Sequence, residues 1–389
     1  MKTKIFSNYI DLSKLDYLFI SLFLMLVVIG LLILASASIQ FSDSITGSPI
    51  NFFVKQLSHL LIGILLLSVI VLIPLAFWEK YDRWILLFGI ALLLLVFIPG
   101  IGVEVNGANR WIRVAGFGFQ PSEAMKFISI IYISAYSVRR INDLQTNWLG
   151  FFRPAVLIIF IVSLILLQPD LGTSAVIFAS VLGILFIAGV HLKQFMLVIS
   201  MAITGIFSLI YFVPWRWERI ISFTDPWSDP YGSGYQLTLS LMSIGRGDWF
   251  GVGLGEGLMK MGYLPDAHTD FIFSVVIEEM GLLFGIFLIS LLFGIAFRCF
   301  YIAREALTKN LFFGFFAAYG VAILLGLHTF INVGVATGLL PTKGLTLPFI
   351  SYGGTNLLIM CALIGLVLRI DYETKVAMPV AHISRRASF

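Results

Sequence analysis

YLFISLFLMLVVIGLLILASA, residues 17–37, decides how the rest of the chain is read. It carries no charged side chain, and about 20 mostly apolar residues are what a helix needs to cross the hydrocarbon core of a bilayer. The run is too long for the apolar region of a signal peptide and lacks a convincing cleavage site, so it is expected to remain as a membrane helix. Extended by one residue to 17–38, it is the first of a series that recurs near 57–77, 83–99, 121–138, 154–168, 171–190, 194–213, 271–298, 310–338 and 350–369. Composition agrees: 59% of the 389 residues are hydrophobic and 12% charged, against about 25% charged in soluble domains. The expected fold is an all-α polytopic membrane protein of about ten transmembrane helices, a single membrane domain over residues 1–389.

Orientation follows from the Lys and Arg residues, which accumulate on cytoplasmic segments. With a cytoplasmic N-terminus, sixteen of the 25 fall inside, eight outside and Lys126 within a span. Both tails, 1–16 and 370–389, are then cytoplasmic, and the long loop 214–270 between helices 7 and 8 is extracytoplasmic. The net charge of +4 fits basic cytoplasmic loops, and no basic stripe with interleaved aromatics suggests nucleic acid. Cys299 and Cys361 have no ligand spacing around them, so neither a disulfide framework nor a zinc site is supported. No internal repeat is visible, which argues against transporter-type inverted halves.

The interval Pro214–Phe273 is the one long stretch that is not apolar, and its aromatic content argues against disorder. In GVGLGEG (251–257) neither the dinucleotide nor the phosphate-loop spacing can be registered. These glycines are expected to allow tight turns or close backbone approach to a ligand. Asp266, His268 and Asp270 alternate, a weak hint of a divalent cation. Asp270 stands directly before the apolar FIFSVVI. There it is either an N-cap or a partly desolvated carboxylate suited to accept a proton.

Ionisable groups inside apolar runs cost about 2.5–3.5 kcal/mol each on insertion scales and so face a partner or a polar cavity. Glu123 and Lys126, three apart in QPSEAMKF, share one helix face. They form either a structural pair or, because Pro121 starts that helix near the outer surface, the charged wall of a substrate cavity. Asp170 is best read as a helix cap, Glu278 and Glu279 as packing groups, and His328, near Asn332, as a hydrogen-bonded packing residue.

The segments GANRWI (107–112), QPSEAMK (120–126), QPDLGT (168–173), DPYGSGYQL (229–237), the run from Gly251 through YLPDAHTDFIF to Phe273, and GLLPTKGLTLPFISYGG (338–354) resemble the SEDS family (shape, elongation, division, sporulation). They are spread over most of the chain in the expected order. The resemblance is closest to the FtsW branch, through TKGLTLPFISYGG, and next to the RodA branch. Asp266, where Glu is commoner, His328, where Gln is usual, and Ala336-Thr337 depart from the family pattern. The resemblance implies a ten-helix peptidoglycan glycosyltransferase of the bacterial cytoplasmic membrane that uses lipid II and works with a class B penicillin-binding protein, a transpeptidase, and other division-complex membrane proteins at the septum. The family's essential acid maps onto Asp270, its loop Trp onto Trp111, and its cavity Glu and Lys onto Glu123 and Lys126.

On that reading Asp270 deprotonates the acceptor hydroxyl. Lys126, Arg110, Arg216, Arg219, Lys343 or Mg²⁺ carried on the pyrophosphate offsets the charge of the leaving group. Trp111 and His268 complete the expected substrate contacts, although for any single loop aromatic the interfacial belt is the commoner role. No protein-held metal is expected. The alternatives are a lipid II flippase or transporter, a RodA-like elongation polymerase, and a structural hub that recruits division partners.

Overall fold

Each apolar run of the sequence becomes a helix in the computed structural model, which describes residues 11–377 apart from 106–107, 115–116, 213 and 343. After a 3-10 turn at Leu12–Lys14, the chain forms α1 (Tyr17–Thr46), α2 (Asn51–Leu72) and α3 (Leu75–Leu95). A small sheet follows, of β1 (Gly102–Val105), β2 (Ala108–Val114) and β3 (Phe117–Phe119). Then come α4 (Pro121–Arg139), α5 (Ile141–Thr146), α6 (Trp148–Leu167), α7 (Leu171–Ile187) and α8 (Leu192–Tyr211). The remainder is α9 (Pro214–Thr224), α10 (Tyr235–Gly247), α11 (Ile272–Thr308), α12 (Phe312–Ala336) and α13 (Gly354–Val376). Among the described residues, six helices, α1, α2, α6, α11, α12 and α13, are long and apolar enough to cross a membrane, and α7 and Leu192–Gly205 are shorter apolar helices.

Local chemistry sets the helix ends. The Asp16 carboxylate accepts from the Phe19 N–H at 3.1 Å to open α1, and Gly47, at φ +65°, closes it in the left-handed conformation. The run expected at 57–77 divides before Pro74, because the residue before a proline is pushed out of the helical region. The next helix therefore starts at Leu75 and absorbs the charged WEKYD (78–82) that the sequence reading left between spans. Its Asp82 is buried and held by both terminal nitrogens of Arg139, each at 2.7 Å.

The bundle is inside-out relative to a soluble protein. Leu32, Leu61, Leu65, Phe88, Phe152 and Met201 are exposed, whereas Ser38, Ser42, Gln56, Ser129 and Ser134 are buried. That is the distribution expected when the solvent is lipid and small or polar residues mediate close helix contacts. α4, buried almost continuously from Pro121 to Ser137, packs against α3, α7, α12 and α13. α13 packs against α2, α11 and α12 as well, so α4, α12 and α13 form the centre.

Two expectations need correction. The fold is not purely helical: β1, β2 and β3 form an antiparallel meander in which Val103 pairs with Trp111, and Ile112 with Phe119. The long interval is not one loop either, because α9 and α10 occupy much of its first half.

The GVGLGEG glycines form tight turns, as expected, and bring the segment's backbone close to α11. Gly251, Gly253 and Gly255 have φ of +78°, +114° and +92°, and Val252 N–H and Gly253 N–H donate to the carbonyls of Glu278 and Glu279. They dock where α11 breaks at Gly281 (φ +84°). A Cβ at that position would stand 2.3 Å from the Trp249 carbonyl oxygen.

Candidate active site

The starts of α4, α7 and α13, the turn before α11 and His59 of α2 converge around a cavity of about 440 Å³, lined among others by Trp111, Glu123, Asp170 and Asp270. Asp270 reaches it from a tight turn. Asp266 adopts φ +55°, which Asp tolerates better than most residues, and its carbonyl accepts from Thr269 N–H (3.0 Å) and Phe271 N–H (3.2 Å).

The backbone on either side of Asp270 is pinned. The His268 carbonyl accepts from Tyr352 N–H at 2.9 Å, the Thr269 carbonyl from Ser351 Oγ at 2.6 Å, and the Asp270 carbonyl from Asn332 Nδ2 at 2.9 Å. The N-cap of α11 is Phe271, with no side-chain cap bond, so Asp270 does not cap that helix. Its carboxylate stands instead against Gly344, where an added Cβ would lie 3.0 Å from Oδ2.

Glu123 and Lys126 are brought together, but with different exposures. Glu123 lines the cavity; Lys126 lies behind it, 0% exposed. The Lys126 ammonium donates at 2.8 Å to each Glu123 oxygen and meets His328 Nε2 at 2.8 Å. An ammonium has three N–H donors, and these partners use all of them. Lys126 is thus the counter-charge of Glu123, held behind it and off the cavity lining. Asp170 caps α7 through Thr173 N–H at 3.1 Å, and its other oxygen accepts from Gln120 Nε2 and Ser122 Oγ, both at 3.0 Å.

Trp111 lines the cavity with its ring against Gly118. Arg110 lies beside it, at the C-terminal end of α6. Its Nε donates to the Gln168 carbonyl at 2.8 Å and its Nη2 to the Pro169 carbonyl at 2.7 Å. It has no carboxylate partner among the described residues, so its charge remains available to the cavity.

His268 is buried against Phe41, with ring centroids 4.2 Å apart, and borders Phe52 and Tyr352. Burial pushes its pKa down to about 4, so it contributes a neutral ring. Lys343 and the side chains of Arg216 and Arg219 lie outside the described residues. Among the described residues, no group of three or more His, Cys, Asp and Glu is arranged to hold a metal ion.

Glu278 and Glu279 serve the scaffold. Glu278 pairs with Arg246 at 2.9 Å and accepts from Leu258 N–H at 2.9 Å. Glu279 pairs with Lys260. Together they staple the glycine-rich segment to α11. Sequence reasoning missed His59, which lines the cavity next to Gly354; a histidine inside an apolar run was the available signal. It also missed Gly344–Thr346 and Gly353–Asn356 as cavity walls.

The chain is similar over most of its length to known proteins. The FtsW/RodA/SpoVE cell cycle protein family model matches residues 16–376. A Pseudomonas fluorescens protein named "Probable peptidoglycan glycosyltransferase FtsW" is 42% identical over 362 residues, which cover 93% of this chain and 89% of that protein. A Coxiella burnetii protein of the same name is 44% identical over 352 residues, 90% of this chain and 95% of that one.

Among solved structures, a chain of a peptidoglycan synthase complex that coordinates polymerization and crosslinking superposes with a TM-score of 0.76. It is 26% identical, with 92% of this chain and 98% of that chain covered. The rod shape determining protein RodA of Thermus thermophilus superposes with a TM-score of 0.66 at 26% identity, covering 92% and 96%. With a family model matching nearly its whole length, the chain belongs to the FtsW/RodA/SpoVE family of cell cycle proteins.

Proposed function

We propose that the protein is a peptidoglycan glycosyltransferase that polymerises lipid II during cell division, with Asp270 as the general base. The observation that carries this reading is the setting of Asp270. Its backbone is pinned on both sides, its carboxylate reaches a polar cavity rather than capping a helix, and Glu123 stands on the wall of the same cavity.

The Asp270 carboxylate takes the proton from the 4-hydroxyl of the acceptor GlcNAc. That oxygen forms a bond to the anomeric carbon of the donor MurNAc as the bond from carbon to the pyrophosphate oxygen breaks on the opposite face, inverting the centre. Undecaprenyl pyrophosphate carries away the electron pair. Arg110 is the described cation placed to offset its charge, and Mg²⁺ carried on the phosphates would add to that. An apolar groove of about 260 Å³ between α6, α7 and α8 adjoins the cavity across Asp170–Ser174. We assign the prenyl tail to it.

Ten membrane crossings, with both termini cytoplasmic, put the cavity on the outer face. Supporting that assignment, Arg298 of α11 and Arg139 of α4 lie away from the cavity ends of their helices, as basic residues on the cytoplasmic side would. A class B penicillin-binding protein is the expected partner, and the septum the expected location. The test is reconstitution in liposomes with purified lipid II, alone and then with the transpeptidase. Glycan polymer supports the reading, translocated lipid without polymer would indicate a flippase, and neither product in both arms would indicate a recruiting scaffold.

A further inference from the structure

α12 presents His328 and Asn332, four residues apart and on one helical face, to the wall of the cavity. Both are buried, at 0% and 1% exposure, and each joins elements distant in sequence. Asn332 Nδ2 donates to the Leu345 carbonyl at 2.6 Å and to the Asp270 carbonyl at 2.9 Å. His328 Nδ1 lies 3.2 Å from the Thr346 carbonyl, and its Nε2 lies 2.8 Å from the Lys126 ammonium.

The chemistry of these partners fixes the state of the ring. A carbonyl oxygen only accepts, so Nδ1 carries the proton; an ammonium only donates, so Nε2 offers a lone pair. His328 is then a neutral imidazole of one defined tautomer. A doubly protonated ring would set two cations against each other and leave the third Lys126 N–H without an acceptor.

We propose that His328 is a positioning residue. Through Lys126 it holds the carboxylate of Glu123, and through the Thr346 carbonyl it holds the cavity wall Gly344–Thr346, so that both keep register with Asp270, which Asn332 ties to the same helix face. His328 does not line the cavity and touches no reacting group. A packing residue would require only the volume of the ring, whereas this role requires an acceptor and a donor on the same side chain.

Gln supplies both functions, its Oε1 accepting from Lys126 and its Nε2 donating to Thr346; Leu supplies volume and neither function. The role rests on the glycosyltransferase reading, and the test separates the two. In ¹⁵N-histidine spectra of the wild-type protein in lipid, His328 is expected to show a protonated Nδ1 and an unprotonated Nε2 at neutral pH. That readout is independent of any activity, and a protonated Nε2 overturns the proposal.

In lipid II polymerisation, His328→Gln is expected within about 3-fold of wild-type kcat, and His328→Leu about 10- to 100-fold below it with KM little changed, in keeping with the loss of one hydrogen bond to a buried charge. Equal activity of the two variants, whether both high or both low, overturns the proposal. If His328→Leu does not fold, a fully active His328→Gln together with the expected spectrum supports it, and an inactive but folded His328→Gln overturns it. Absence of polymer from the wild type, with the expected spectrum present, indicts the glycosyltransferase reading alone.

Discussion

Replacing Lys126 by Met isolates the energetics of the charge pair beneath the cavity. The ammonium is fully buried, and its three donors are satisfied at 2.8 Å. Removing one member of a buried pair typically costs about 3–5 kcal/mol because the other charge is stranded. Glu123 keeps 6% exposure and borders the cavity, so water moderates the cost of leaving it alone, and Lys126→Met should lose about 3 kcal/mol. Glu123→Gln strands the deeper charge and should cost at least as much.

The double variant removes both charges, and a buried pair is often replaced by neutral groups at little net cost. It should therefore be more stable than the sum of the single losses predicts, by at least about 2 kcal/mol. Tryptophan fluorescence during denaturant unfolding of the protein in detergent, read as a double-mutant cycle, measures this. Additive losses, or a Lys126→Met variant within about 1 kcal/mol of wild type, would refute the buried-pair reasoning.

Gly281→Ala forces a Cβ to 2.3 Å from the Trp249 carbonyl at φ +84°, so it should cost about 3 kcal/mol or more. Gly294→Ala, on the helical part of α11 where an added Cβ meets nothing within 4 Å, should be neutral or stabilise by up to about 1 kcal/mol. Melting temperatures of the two variants check the contrast. His268 has a folded pKa of about 4 against about 6.5 unfolded. Above pH 6.5 neither state binds the proton; between 6.5 and 4 only the unfolded state does, so stability is lost as the pH is lowered through that range, by up to about 3 kcal/mol. His268→Phe should flatten that part of the pH–stability curve, and an unchanged slope would contradict the burial argument.

The helices were legible because lipid as solvent demands long apolar runs, and that signal survives without any partner. The meander at Gly102–Phe119 was not, since strands of three to seven residues with glycines between them carry too little alternation to register. α10 was missed because YQLTLSLMSIGRG is amphipathic and lies within a polar interval that was read as one loop.

Within the site, Asp270 and the Glu123–Lys126 pair were visible as charges in apolar surroundings. The third partner of Lys126 was not: spacing places Lys126 beside Glu123, but only three-dimensional packing brings His328 to its remaining donor. Arg110 was named for its charge alone, and its two bonds to the end of α6 depend on a contact between residues 58 and 59 positions apart. His59 was as visible as Glu123, being a titratable residue in an apolar run, and its position in the cavity follows from the packing of α2 on α13.

The most direct test of the central claim is Asp270→Asn in polymerisation of purified lipid II. Asn is nearly isosteric, and the bond from Asn332 is to the backbone carbonyl, so folding, membrane insertion and lipid II binding should be preserved. Loss of the general base should lower the polymerisation rate by about 10²–10⁴-fold. Glycan synthesis at the wild-type rate by the folded variant would contradict the account.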